Sequence, residues 1–334
     1  MVDIKRFLLT RERHQVERYL TILADLSDTD KAPEIVRKYH AEGKHQNIDA
    51  QLAGSGLFDF NALQMLVFSE TWSRFEAGGI SGEILLHILN VLEDNLMSSR
   101  SFQNYYQLKP IIKIMNESGN LIFSILGFPH VAEIMKDAVA AINIVDDQGN
   151  ESCGSGIILH SDQPGMGLVV TNSHIFDFGK IKEVVVNGNC LNVASGPTHC
   201  GIADLAKFNV NLLPSIPKVG LALDVNVLDQ VVAMGFPRVP TATSQFLTAH
   251  SGEVNASFET FDRRQFIAIS CHVSPGNSGG PIFNRFGYCS GIVTQSGTAE
   301  FGANEDPAGI YKSTYHMAIP VEIIREFVSP SGGS

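Results

Sequence analysis

The sequence predicts a multi-domain protein of mixed α and β class. An all-α helical bundle occupies residues 1–128, and a β-rich domain follows over 129–330. Three observations predict this. Apolar residues recur at helical spacing through the first part. Short β-prone runs bounded by Gly, Pro and Asn fill the second. Gly127-Phe128-Pro129 punctuates the change between them. At 334 residues, 44% of them apolar, the chain is long enough to build two packed cores.

Taken in order, Glu12 to Ala24, Ala32 to Ala41, Phe60 to Glu76, Ser81 to Met97 and Phe102 to Glu117 read as helices of a bundle of five or six. Asp30 and Ser81 are placed to cap helix starts, Gly78-Gly79 separates two helices, and Pro110 starts or kinks one. Trp72, Phe75 and the leucines around them read as core. Lys5, Arg6, Arg11, Arg13 and Arg18 make a mildly basic start that reads as a solvated helix face. No side chain in this part carries visible chemistry, so a regulatory or interaction role, recruiting or sensing a protein partner, is expected of it.

In the second part Cys153 to Leu159 reads as a strand, Gln163-Pro164-Gly165 as a turn, and Gly167 to Val170 as the partner strand. That strand runs into Thr171-Asn172-Ser173-His174, which delivers an imidazole just past its end. Asp204 opens the alternating strand pattern Asp204-Leu205-Ala206-Lys207-Phe208-Asn209-Val210. Residues 274–281 read Ser-Pro-Gly-Asn-Ser-Gly-Gly-Pro. A nucleophilic serine needs a hydroxyl standing clear of the backbone and amide N–H groups converging on a developing oxyanion; glycines around Ser278 permit both. Gly276-Asn277-Ser278-Gly279-Gly280 also fits the elbow of an α/β-hydrolase, but that reading requires an acid and a histidine after the serine. Only His316, with Asp306 ten residues before it, follows Ser278, and no alternating strand and helix blocks exist to build a parallel sheet. The order His174, Asp204, Ser278 excludes the elbow.

In these motifs, together with Asp137-Ala138-Val139-Ala140, Val231 to Pro237 and Gly291-Ile292-Val293, residues from about 132 to 328 resemble a trypsin-like serine protease domain of the chymotrypsin fold, of the HtrA/DegP branch. The resemblance implies a chymotrypsin-like double β-barrel with its site in the cleft between barrels. It implies Ser278 as nucleophile, His174 as base, Asp204 as the acid that orients the imidazole, and the N–H groups of Gly276 and Ser278 as an oxyanion hole. It places His272, six positions before Ser278, at the floor of the substrate pocket, with Ser296 and Gly309 near its wall. His272 there either selects acidic or polar side chains and makes cleavage pH-sensitive, or turns away and selects nothing. The resemblance also has gaps. Asn277 stands where the digestive branch has an aspartate that pairs with a freed N-terminus, so activation by trimming is not expected. The peptide-sensing PDZ domains usual after HtrA proteases are not expected past Val321 to Phe327, which reads as a terminal helix.

Composition excludes several other functions. The formal net charge is −11 and no Lys/Arg cluster forms, which disfavours nucleic acid. No apolar run approaches a membrane span. No phosphate loop, Cys-x-x-Cys or His-Glu-x-x-His appears, so no cofactor or metal is expected. Five cysteines, an odd number with no export signal, fit reduced thiols and a cytoplasmic setting. The expected activity is serine endopeptidase cleavage of protein or peptide substrates, gated by the helical domain. The alternatives are a catalytically silent protease fold used for binding and a viral polyprotein-processing protease.

Overall fold

The structure is a computed structural model that describes residues 13–43, 48–68, 80–101, 104–238, 242, 244–294, 297–301 and 311–329. It divides into two compact units, Met1–His130 and Val131–Ser334.

The first unit is mainly helical. It contains α1 (Arg13–Leu26), α2 (Lys31–Ala41), α3 (Ala50–Gly54), α4 (Phe60–Phe68), α5 (Ile80–Asp94), α6 (Ile111–Glu117) and α7 (Asn120–Leu126). Helix α8 (Phe128–Met135) carries the chain into the second unit. Their apolar stripes meet in one core that includes Leu20, Leu23, Leu63, Phe68, Leu85 and Ile125, with Tyr19 edge-on to Phe68 at 4.7 Å. Asp30 precedes α2 as expected, yet it is the Asp28 carboxylate that accepts from the Asp30 and Lys31 N–H groups. Pro110 starts α6. Trp72, Phe75, Gly78 and Gly79 lie outside the described residues.

The unit is not all-α, because a three-stranded antiparallel sheet joins β1 (Leu57–Asp59), β3 (Tyr105–Leu108) and β2 (Ser98–Arg100) in that order. The helix expected over Phe102 to Glu117 is therefore split. Asn104, at φ 67°, turns the chain, and the pair Ser101 N–H to Tyr105 O closes a hairpin. Tyr106 and Leu108 then alternate inward at period two, and Pro110 disfavours helix in the residue before it.

The second unit holds two antiparallel sheets. The first has seven strands in the order β8 (Asn189–Leu191), β7 (Lys180–Val186), β4 (Val139–Val145), β5 (Glu151–His160), β6 (Met166–Thr171), β10 (Ala206–Asn211) and β9 (Thr198–His199). It is an open half-barrel. The second runs β13 (Gln265–Ile269), β12 (Thr248–Glu259), β11 (Gln230–Gly235), β14 (Pro281–Asn284), β15 (Cys289–Val293) and β17 (Tyr311–Pro320), with β16 (Gly297–Phe301) outside. Because β13 also pairs with β17, those six strands close into a barrel around Val231, Val254, Ile267, Ile282 and Val293. The chymotrypsin-like fold is thus present with one barrel closed and the other half open. Helix α9 (Val321–Val328) ends the unit, where a helix was expected. No helix among the described residues is long and apolar enough to cross a membrane.

Lys113 bonds Asp28 at 2.8 Å and holds its carboxyl at about 2, below its usual value. A carboxyl depressed on folding stabilises above its unfolded value and loses that contribution as pH falls through the folded one. Asp28→Asn should therefore lower the melting temperature at pH 7, with the difference from the parent chain closing between about pH 4 and pH 2. A gap that stays constant over that range would count against the pair.

Candidate active site

Strand β6 ends at Thr171, and a single 3-10 turn over His174–Phe178 starts just beyond it. Strand β10 begins just past Asp204 and pairs with β6 so that Ala206 lies opposite Thr171. The register therefore brings His174 and Asp204 to the same end of the sheet. His174 Nδ1 lies 2.6 Å from Asp204 Oδ2, and the His174 backbone N–H donates to Asp204 Oδ1 at 2.9 Å. Thr294, just after β15, donates its hydroxyl to Asp204 Oδ2 at 2.9 Å. Asn172 Nδ2 donates to the Asp204 carbonyl at 2.9 Å. Burial raises the Asp204 carboxyl, but the hydrogen bonds from His174 and then Thr294 outweigh it, and the group is held below its usual value. Asp204 is thus fixed as an anion against the ring of His174. A cavity of about 400 Å3 opens beside the pair, lined by Asp177, Arg264, Thr294 and Met317 among others.

The serine loop arrives from the closed barrel and is held by Ser155 of β5. Ser155 N–H donates to Ser278 O at 2.8 Å, and its buried hydroxyl donates to Gly276 O at 2.7 Å while accepting from Phe236 N–H at 2.8 Å. Thr171 returns a hydroxyl to Ser155 O at 2.6 Å. Gly276 and Gly279 have φ of 99° and 85°, angles that L side chains rarely adopt. A Cβ on Gly279 would strike the Ser155 carbonyl oxygen and Thr171 Oγ1 and come within 3.1 Å of Asn172 N. Ser278 is therefore packed against the stretch that leads into His174. One built on Gly154 would likewise lie 3.0 Å from Ile175 Cγ2 and 3.4 Å from Ser278 O.

The loop's backbone donors divide into two groups. Asn277 N–H bonds Ser274 O, Gly279 N–H bonds Val293 O, and Gly280 N–H bonds Asn277 O. Gly276 N–H and Ser278 N–H have no such acceptor among the described residues. Those are the two N–H groups that the resemblance implies for an oxyanion hole. No hydrogen bond joins Ser278 Oγ to His174 among the described residues; such contacts are often loose in a site without substrate. Asn277 is 4% exposed, and its carboxamide oxygen has no hydrogen-bond partner among the described residues.

His272 is exposed and stands 3.3 Å through Nε2 from Ser274 Oγ. Ser296 and Gly309 lie outside the described residues. Ser155 and Thr294 were not singled out from the sequence. The glycines either side of Ser155 and the position of Thr294 just past Gly291-Ile292-Val293 were the available signals. All five cysteines are unpaired, and burial pushes Cys153 up to about 11 and Cys289 up to about 12.

A half-barrel and a closed barrel with a histidine–aspartate pair and a glycine-lined serine loop between them define the trypsin-like class. Residues 154–292 match the family model for a trypsin-like peptidase domain, and the curated relatives the chain matches include HtrA and DegP-like serine proteases. The chain is 25% identical to the mitochondrial serine protease HTRA2 of Bos taurus, over 62% of this chain and 46% of that protein. It is 30% identical to a probable periplasmic DegP-like serine endoprotease of Rhizobium meliloti, over 52% of this chain and 32% of that one. A solved HtrA-type protease, AlgW with a tripeptide, aligns at 22% identity and a TM-score of 0.43 over 59% of this chain and 61% of that one. The chain thus spans less than half the length of those two curated relatives.

Ser155→Ala should leave the part-buried Phe236 N–H without its acceptor and release Gly276 O, costing about 1–3 kcal/mol of stability. Urea unfolding would measure it. A change within about 0.5 kcal/mol, the usual range for surface substitutions, would show that the hydroxyl does not hold the loop.

Proposed function

We propose that the chain is a serine endopeptidase in which Ser278, His174 and Asp204 act as one unit. The observation that supports this most is the His174–Asp204 pair, bonded twice and braced by Thr294, beside a serine loop whose Gly276 and Ser278 N–H groups are open. In the first step Ser278 Oγ attacks the peptide carbonyl carbon while His174 Nε2 takes the hydroxyl proton. The carbonyl electron pair moves onto oxygen, which the Gly276 and Ser278 N–H groups receive. His174 then gives its proton to the amine, the C–N bond breaks and an acyl-enzyme forms. Water repeats the sequence, with His174 as base, and releases the acid product and the free serine. Asp204, ionised throughout, holds the imidazole with Nε2 toward the serine and stabilises the imidazolium.

His272, Ser296 and Gly309 form the substrate pocket in this reading, and the substrates are proteins or peptides. The first 128 residues act as a regulatory and interaction domain for a protein partner, and 129–330 carry the chemistry. Asn277 supports control by something other than a freed N-terminus, because a carboxamide forms no ion pair with it. Unpaired cysteines support a reducing, cytoplasmic setting, although relatives are named mitochondrial and periplasmic. Alkylation at cell lysis should trap five thiols; recovery of disulfides would remove that placement.

Ser278→Ala should lower kcat for a cleaved protein by about 10^6-fold with unchanged melting behaviour. A fluorophosphonate should label the parent chain at Ser278 and leave the variant unlabelled. A folded parent chain that resists the reagent would favour the second reading, a silent binding module, for which the unmade Ser278–His174 hydrogen bond speaks. For gating, cleavage by the full chain and by residues 129–334 should differ in rate. Equal rates with and without candidate partners would remove the regulatory role.

A further inference from the structure

Helix α9 touches both sheets of the second unit. It packs on β15 and β17 of the closed barrel, with Val321 and Ile324 buried. Arg325 donates to the carbonyls of Ala222 and Leu223, in the segment that joins β10 to β11, the second at 2.8 Å. The last turn of the helix meets the first sheet. Lys207 Nζ, from β10, donates to the Phe327 carbonyl at 2.6 Å and stands 4.6 Å from the centre of the Phe327 ring. Carbonyls in a last turn have no partner within their helix, and the macrodipole there favours a cation. The ammonium over the ring adds a cation–π contact.

Lys207 lies three residues past Asp204, and successive side chains of a strand point to opposite faces. Phe208 is 2% exposed and sits edge-on to Phe176, at 6.2 Å, in the turn that bears His174. Lys207 leaves the other face, toward α9. The strand leading out of the acid is thus gripped on one face by the histidine's turn and on the other by the closed barrel's helix. Packing alone does not set the acid's distance from that barrel. A cavity of about 210 Å3 is lined by Ile202, Ala203 and Asp204 together with Ile319 and Ile323, so the spacing there depends on point contacts. The Thr294 hydroxyl makes one, on the carboxylate itself, and Lys207 makes another, on the strand that carries it.

We propose that Lys207 is a positioning residue: clasped to the end of α9, it holds the start of β10, and with it Asp204, where the carboxylate meets both His174 and Thr294. This rests on the role in catalysis assigned to Asp204 above. Removing the Lys207 donor takes no hydrogen bond from the carboxylate. It frees the strand on its outer face, so the backbone under Asp204 shifts against the closed barrel and the 2.6 Å bond to His174 Nδ1 is strained. A short, charge-assisted bond tolerates little displacement. The imidazole then turns with its partner, and its alignment with Ser278 suffers while the surfaces that hold substrate stay as they are.

The test compares full-length Lys207→Met and Lys207→Arg with the parent chain on one cleaved protein. Methionine keeps an apolar stem over the Phe327 ring and removes the donor; arginine restores a donor and a cation. Lys207→Met should lower kcat about tenfold with KM unchanged, because the loss falls on the reacting geometry and not on substrate binding. Lys207→Arg should recover kcat to within about twofold of the parent. The low-field proton resonance of the His174 Nδ1–Asp204 bond should move to higher field in the methionine variant and return in the arginine one. A lower melting temperature with kcat and that resonance unchanged, an effect on KM alone, or equal losses in both variants overturns the proposal. If the parent chain neither cleaves nor takes the fluorophosphonate, the catalytic assignment has failed instead, and the resonance, which needs no turnover, still decides whether Lys207 positions Asp204.

Discussion

The carboxylate of Asp204 accepts hydrogen bonds from two groups of His174 and from the Thr294 hydroxyl, and these tie the open half-barrel to the closed barrel. His174 and Asp204 both belong to the first sheet's end, so their pairing follows from β6–β10 register. Thr294 comes from the other sheet. A carboxylate bonded from both sides aligns the imidazole and also fixes where the second barrel stands against it. Charge-assisted bonds of this kind are short and geometrically strict, which suits a group that must hold a ring at one angle.

Ser155 performs the matching task for the loop. One residue of the first sheet donates twice to the serine loop and receives a bond from Phe236, at the end of β11. Its carbonyl in turn is held by Thr171, near the start of the segment bearing His174. The position of Ser278 relative to His174 is therefore set by buried, fully used polar groups rather than by long flexible side chains. Glycine at 279 is a consequence of that closeness, since the backbone of the loop passes against Ser155 with no room for a Cβ.

Much of this was legible in the sequence, and the reason differs by element. Strands β5, β6 and β10 announced themselves through short apolar runs and the Gln163-Pro164-Gly165 turn, because burial and turn chemistry act locally. His174 and Asp204 could be chosen from among many candidates because each stood at the end of such a strand. The sheet inside the first unit was missed: Phe102 to Glu117 offers helical spacing, and only the left-handed turn at Asn104 with Pro110 downstream breaks it. The roles of Ser155 and Thr294 are long-range, made across 81 and 90 residues for the bonds to Phe236 and Asp204, and no local period encodes them. The open first barrel is likewise a matter of which edge strands find partners.

The neutral residue before the serine has an electrostatic consequence. With Asn277 in that place, the loop is shaped by Ser274, Val293 and Ser155 through uncharged hydrogen bonds, and Asn277 itself packs at 4% exposure without forming an ion pair. A loop held by a buried salt bridge would collapse on titration of either partner. This one has nothing to titrate. In the proposed reaction the moving proton is carried by His174, which lies outside this loop and is held by Asp204.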